Sequence, residues 1–242
     1  MLFENLKSVI KTPTIEFLCE EDLFGMMPEP YPARKFMPEW FKELPPKLNR
    51  ENKIENSTIK RCAPVLDAMS VGWIIPLCGD VEFISNNNAS GVNYKWTFMR
   101  TLVENHNVDQ ISTQKAPHPQ TPKPPMKFLN YWAIKVPKGY SVLFVPPLNR
   151  QDPRFTCMSG FVDCDGYFEY INFPFFFNIP SYTGIVEAGV PLVQAIPIKR
   201  DGIIQRSNVR KFNKQDHEDL DTTRKRRKSH ESIYRDFIWN RK

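Results

Sequence analysis

Leu129-Asn130-Tyr131-Trp132-Ala133-Ile134-Lys135-Val136, then Pro137-Lys138-Gly139-Tyr140, then Ser141-Val142-Leu143-Phe144-Val145 is the most strand-like run in the chain. Two stretches rich in aromatic and β-branched residues flank a Pro/Gly turn, which predicts a β-hairpin. Further strands are predicted at 155–161, 167–173 and 192–198, with a short one at Ile203-Ile204. Upstream, 14–19, 73–77, 81–84 and 94–98 also read as strands, the last with clean apolar/polar alternation. Many short strands and few helices predict a mainly β fold, an antiparallel barrel or sandwich.

Proline explains the shortness of the strands. The chain has 22 Pro and only 10 Gly, and sixteen of the prolines fall between Pro28 and Pro147. There they interrupt helices and central strands alike, so a Pro-rich N-terminal elaboration of extended loops is expected. Within it, Pro38 can open one helical turn that pins Trp40 or Phe41 to the body. Residues 62–72 suit a buried helix, 1–11 a brief amphipathic one, 85–91 a turn, and 103–125 a long surface loop. With 242 residues, 41% of them hydrophobic and 13% aromatic, the chain can fill a sizeable core and is not disordered as a whole.

The formal charge of +6 is unevenly placed. Residues 1–198 carry 19 Lys and Arg against 20 Asp and Glu, while 199–242 carry 14 against 7. The body is neutral and the tail strongly basic, which divides the chain into a β-rich domain (1–210) and a basic tail (211–242). A basic body is thereby excluded, and nucleic acid is the weakest partner class. No run of about 18 apolar residues suggests a membrane span. The start, MLFENLKSVIK, lacks a secretory apolar segment. Five scattered cysteines, an odd number, read as free thiols of a reducing compartment, the cytoplasm. No Cys-x-x-Cys pair or spaced His set is present, so neither a metal nor a cofactor is expected.

The tail runs from acidic (215–221) to basic (Arg224, Lys225, Arg226, Arg227, Lys228) to aromatic. The Ile233/Phe237 and Tyr234/Ile238 pairs predict a helix from about Ser229 with one apolar stripe. That helix either docks on its own body or anchors onto another subunit. The basic run is either a solvated helix face or a site for phosphate or a partner.

Three motifs carry a resemblance. They are Pro137-Lys138-Gly139-Tyr140, Gly160-Phe161-Val162-Asp163, and Gly189-Val190-Pro191-Leu192-Val193-Gln194. In this order they resemble the core of the dUTPase and dCTP deaminase superfamily, over residues 129–198. The resemblance implies a barrel of short, mostly antiparallel strands with sites between subunits. Carried over, Asp163 orients water and contacts a sugar, Tyr167 stacks on it, and Gln194 helps to hold phosphate. Glu169 stands nearest to the deaminase proton shuttle, and Arg150 is the phosphate-binding candidate in Pro146-Pro147-Leu148-Asn149-Arg150. The whole chain also resembles a bacterial and phage family known only as a domain of unknown function. That likeness rests on Pro38-Glu39-Trp40-Phe41, Gly72-Trp73-Ile74-Ile75-Pro76-Leu77 and the Pro146–Arg150 motif, among others.

The superfamily's phosphate-binding serine motif and Gly-rich lid are absent; no Gly follows Gly202. Asp163-x-Asp165-Gly166 is also ordinary turn chemistry. The first expectation is therefore a non-catalytic binding or assembly protein, for instance a phage structural or accessory protein, placed in host cytoplasm or virion. It would associate with itself or with another protein. The alternative is a nucleotide hydrolase or deaminase with an Asp163-centred pocket and a nucleotide or phosphate ligand.

Overall fold

The computed structural model describes residues 12–48, 56–229, 234 and 238–240. The N-terminal half supplies β1 (Glu16–Leu18), β2 (Tyr31–Pro32), β3 (Lys47–Leu48), β4 (Asn56–Ser57), β5 (Trp73–Pro76), β6 (Val81–Ser85), β7 (Val92–Trp96) and β8 (Val103–Asn105). After them come β9 (Met126–Phe128), β10 (Ala133–Lys135), β11 (Tyr140–Val145) and β12 (Phe155–Cys157). The last strands are β13 (Gly160–Val162), β14 (Phe173–Phe177), β15 (Thr183–Val186) and β16 (Pro191–Lys199). The α-helices are α1 (Glu39–Glu43), α2 (Ala63–Ser70) and α3 (Lys214–Ser229).

The fold is mainly β. A five-stranded sheet in the order β13-β11-β16-β5-β2, a four-stranded sheet β12-β14-β9-β8 and a three-stranded sheet β15-β6-β7 enclose one core. Strand pairing is antiparallel in all three. On β14, Phe173, Phe175 and Phe177 alternate inward, as the period of two requires. Phe175 stacks on Phe128 with ring centroids 3.7 Å apart, and Phe83 of β6 stacks on Phe177 at 4.9 Å. Phe144 of β11 meets Phe173 at 5.6 Å, which ties the five-stranded sheet to the same centre.

Several local expectations change. The predicted hairpin does not form: β10 pairs with β1, while both edges of β11 are taken by β13 and β16. Asn130 breaks the first arm. Its buried amide donates to the Trp132 carbonyl and its side-chain oxygen accepts the Trp132 N–H, ending one strand before the next begins. The predicted strand 155–161 is two strands, which cross from the four-stranded to the five-stranded sheet. In 167–173 only Phe173 lies in a strand; Tyr170 makes one isolated bridge to Ala133.

The supposed surface loop 103–125 begins as β8, with Leu102 and Val103 buried. Its far end returns to the sheet, where the His118 ring lies over Phe176 at 5.0 Å. Of the two aromatics on α1, Phe41 is the buried anchor and Trp40 is exposed. Ile203-Ile204 is not a strand. The tail helix covers 214–229, earlier than expected; the helix predicted for 1–11 and most of the apolar stripe after Ser229 lie outside the described residues.

Candidate functional site

Asp163 follows β13 and opens a tight turn, in which its carbonyl accepts the N–H groups of Gly166 and Tyr167. Its side chain is 69% exposed. One carboxylate oxygen accepts the Ser141 hydroxyl at 2.5 Å and lies 3.4 Å from the Arg200 guanidinium. Asp165 is the stronger partner of that arginine. Its two oxygens take Nη1 at 3.0 Å and Nη2 at 2.5 Å, and Oδ2 also accepts the Gly139 N–H at 2.8 Å. Arg200 thereby staples the end of β16 to both turns at that end of β11.

The Arg200 hydrogen bonds, then the Gly139 N–H, hold the Asp165 carboxyl down to about 2 from its ordinary 3.8. A depressed carboxylate stabilises the fold above the unfolded-state value and loses that contribution as the pH falls through the folded one. Asp165→Asn is therefore expected to melt below the parent protein at pH 7. The gap should stay constant down to about pH 4 and close between pH 4 and 2. Thermal melts of both proteins across that range check this; a gap independent of pH would refute it.

Gln194 stands at the other end of the same sheet. It pairs with Val145 on β11, whereas Ser141 pairs with Ile198. Four residues of strand separate the two positions, about 13 Å. Gln194 is fully buried beneath α2. Its amide donates to the carbonyls of Ala68 at 2.9 Å and Val71 at 2.6 Å, and its oxygen accepts the Leu148 N–H at 3.1 Å. The glutamine is thus a strand-borne cap for the C-terminal end of α2, whose last carbonyls lack helical partners.

Arg150, at the end of the turn that Leu148 enters, is 8% exposed. Its Nη1 donates to the Phe36 carbonyl and lies 4.0 Å from the Met37 sulfur, and its guanidinium carbon sits 5.2 Å from the Phe36 ring centroid. Burial pushes the guanidinium down to about 10, while the nearby Tyr31 phenol opposes that shift. Nε and Nη2 are buried and have no hydrogen-bond partner among the described residues.

The predicted site residues are therefore divided. Asp163 belongs to the Arg200 cluster; Gln194 and Arg150 lie at the opposite end of β11. Tyr167 is exposed beyond the Asp163 turn. Glu169 is exposed on a groove of about 360 Å³ that also involves Cys19, Glu20, Phe168 and Tyr170, and its carboxylate accepts the Tyr170 N–H. Arg224, Lys225, Arg226, Arg227 and Lys228 are exposed on the last turns of α3. Among the described residues no group of three or more His, Cys, Asp or Glu could hold a metal ion.

Sequence reasoning missed Arg200, although two closely spaced aspartates beside a turn call for a cation. It also missed the form of the tail. Every residue from Asp201 to Gln215 is exposed, including Ile204 at 89%, Val209 at 97% and Phe212 at 58%. The α3 helix that follows is closed by its own cap. Asn213 and Asp216 exchange backbone N–H and side-chain oxygen bonds at 2.9 and 2.8 Å, and Arg210 pairs with Asp216. Phe212 packs edge-on against His217, 5.3 Å away, as a staple across the first turn. Further on, Trp239 donates its indole N–H to Asp67 of α2 at 2.8 Å, so the chain meets its own body there. No described helix is long and apolar enough to cross a membrane. Comparison with protein-family models and with curated proteins finds no match.

Proposed function

We propose that the chain is a non-catalytic binding and assembly protein, built on a dUTPase-like β core, that captures a second copy of itself through its C-terminal arm. The observation that carries this reading is the run 201–215, exposed throughout yet bearing Ile203, Ile204, Val209 and Phe212. Within it, 203–213 has no regular secondary structure, and a stretch of that length is uncommon in a compact domain unless it binds or links. Composition favours a second copy as the occupant: the exposed apolar side chains of the run need apolar partners, and the neutral body, net −1 over 1–198, does not repel the basic arm. The body also offers exposed Phe24, Met26 and Met99 on loops joined by the Arg100 pairs with Glu20 and Asp22.

The β core is supported by the neighbouring positions of the three motif strands, in the order β13-β11-β16. A nucleotide enzyme is less well supported, because Asp163, Arg150 and Gln194 do not share a pocket and the Asp163 carboxylate already serves Ser141 and Arg200. A structural or accessory role in a phage particle suits a self-assembling protein with such an arm.

The test uses the full chain with Ile204, Val209 and Phe212 all changed to Asp. These side chains are exposed and lie outside the core, so the β body should fold unchanged, and Phe212→Asp loosens the first turn of α3 alone. Light scattering after size exclusion is expected to show oligomers of the parent protein, and a monomeric variant with the same melting temperature of the β body. A monomeric parent at all concentrations, or a variant with unchanged mass, would sink the reading.

A further inference from the structure

We propose that Arg150 forms the floor of an oxyanion-binding site that takes a carboxylate or phosphate group side-on. The argument starts from which nitrogens lack partners. A guanidinium presents its donors in a fixed plane, and Nε–H and the adjacent Nη2–H point the same way as one fork. These are the two atoms left without partners, whereas Nη1 on the other side is fastened to the Phe36 carbonyl. The Phe36 ring, 5.2 Å from the guanidinium carbon, limits rotation of the plane. The result is a rigid fork with a free bidentate edge, which matches two oxygens of one anion.

The energetic case points the same way. Buried charges in folded proteins are paired or hydrogen-bonded, and a buried donor without a partner carries its full desolvation cost. Arg150 is nine-tenths buried, and no salt bridge to it occurs among the described residues. An oxyanion on the fork would satisfy both donors and neutralise the charge together. Neither free nitrogen touches solvent, so the anion must displace a neighbour. This site stands apart from Asp163 and from the C-terminal arm, so it survives or fails independently of the assembly reading.

The experiment titrates the full-length, 15N-labelled protein with sodium phosphate and, separately, with sodium acetate, at ionic strength held constant with sodium chloride. The Arg150 Nε–H resonance is identified by its through-space contact with the Phe36 ring. It is expected to move and saturate, and the melting temperature to rise by roughly 3 °C or more at tenfold excess over Kd. A response to phosphate alone identifies a phosphoryl ligand, to acetate alone a carboxylate, and to both a general oxyanion site. Arg150→Lys, which keeps the charge and removes the fork, should abolish the thermal response. An Nε–H resonance unmoved by either anion would overturn the proposal. So would an undiminished thermal shift in Arg150→Lys, which would reveal an adventitious ion only. If that variant does not fold, the titration of the parent resonance still decides.

Discussion

Phe175→Ala should lower the free energy of unfolding by about 3–5 kcal/mol, the range for removing a large aromatic side chain from a packed core. Phe175 is fully buried and has Phe128 at 3.7 Å, Phe83 at 6.1 Å and Phe155 at 6.1 Å, centroid to centroid. These rings come from β6, β9 and β12, two sheets in all, so the cavity left by the mutation is lined by residues that neighbouring strands hold in place. Such a site collapses poorly, which keeps the cost at the upper end for its chemistry. Phe176→Ala offers a contrast within the same strand. Its ring is covered on the outer side by His118 of the 106–125 segment, which can settle inward, so a smaller loss is expected. Urea unfolding of the three proteins checks both values, with equal slopes showing that the denatured state is unaffected. A loss below about 1 kcal/mol for Phe175→Ala would mean that the rings repack and the core is not centred there.

Strand existence was legible because apolar alternation and β-branching leave a local trace; β5, β6, β11 and β16 all fall where that trace is strong. Strand pairing was not. Nothing local in Ser141–Val145 says that its neighbours are β13 and β16 in place of the preceding strand, because the edges of a strand carry backbone donors and acceptors common to every residue. A tail helix was expected, but the start of α3 at Lys214 escaped for a different reason. It has no apolar face, so hydrophobic periodicity is blind to it. Its true signals were the Asn213/Asp216 cap and the passage from acidic first turn to basic last turn, which complements the helix dipole. Of the candidate site, the sequence offered polar groups that could bind or catalyse, but not the partners that the fold gives them. Asp165 finds Arg200 across 35 residues, and Gln194 finds Ala68 across 126. The motif-based resemblance assigns Gln194 to a ligand; the folded chain uses its amide internally.

Gln194→Leu separates those two roles and should cost roughly 3 kcal/mol of stability, from a Leu148 N–H and the Ala68 and Val71 carbonyls all losing a buried partner. Volume is nearly kept, so the loss reports hydrogen bonding and not a cavity. The joint has little freedom to adapt. Gly72, immediately after these carbonyls, has φ +75°, and a Cβ there would stand 2.2 Å from the Ala195 carbonyl oxygen. The backbone of α2 thus sits directly on β16 and cannot shift to let water reach the abandoned groups. Gln194→Glu gives the complementary result. At pH 7 its carboxylate would face two carbonyl oxygens, so the folded state raises its pKa above the unfolded value. Its deficit relative to Gln should therefore be largest at neutral pH and shrink as the pH falls through that raised value, where the protonated acid can donate again. Chemical denaturation at pH 7 and pH 5 measures both variants. A Gln194→Leu protein as stable as the parent would show that these contacts contribute nothing to the joint and would return Gln194 to the list of groups free to serve a ligand.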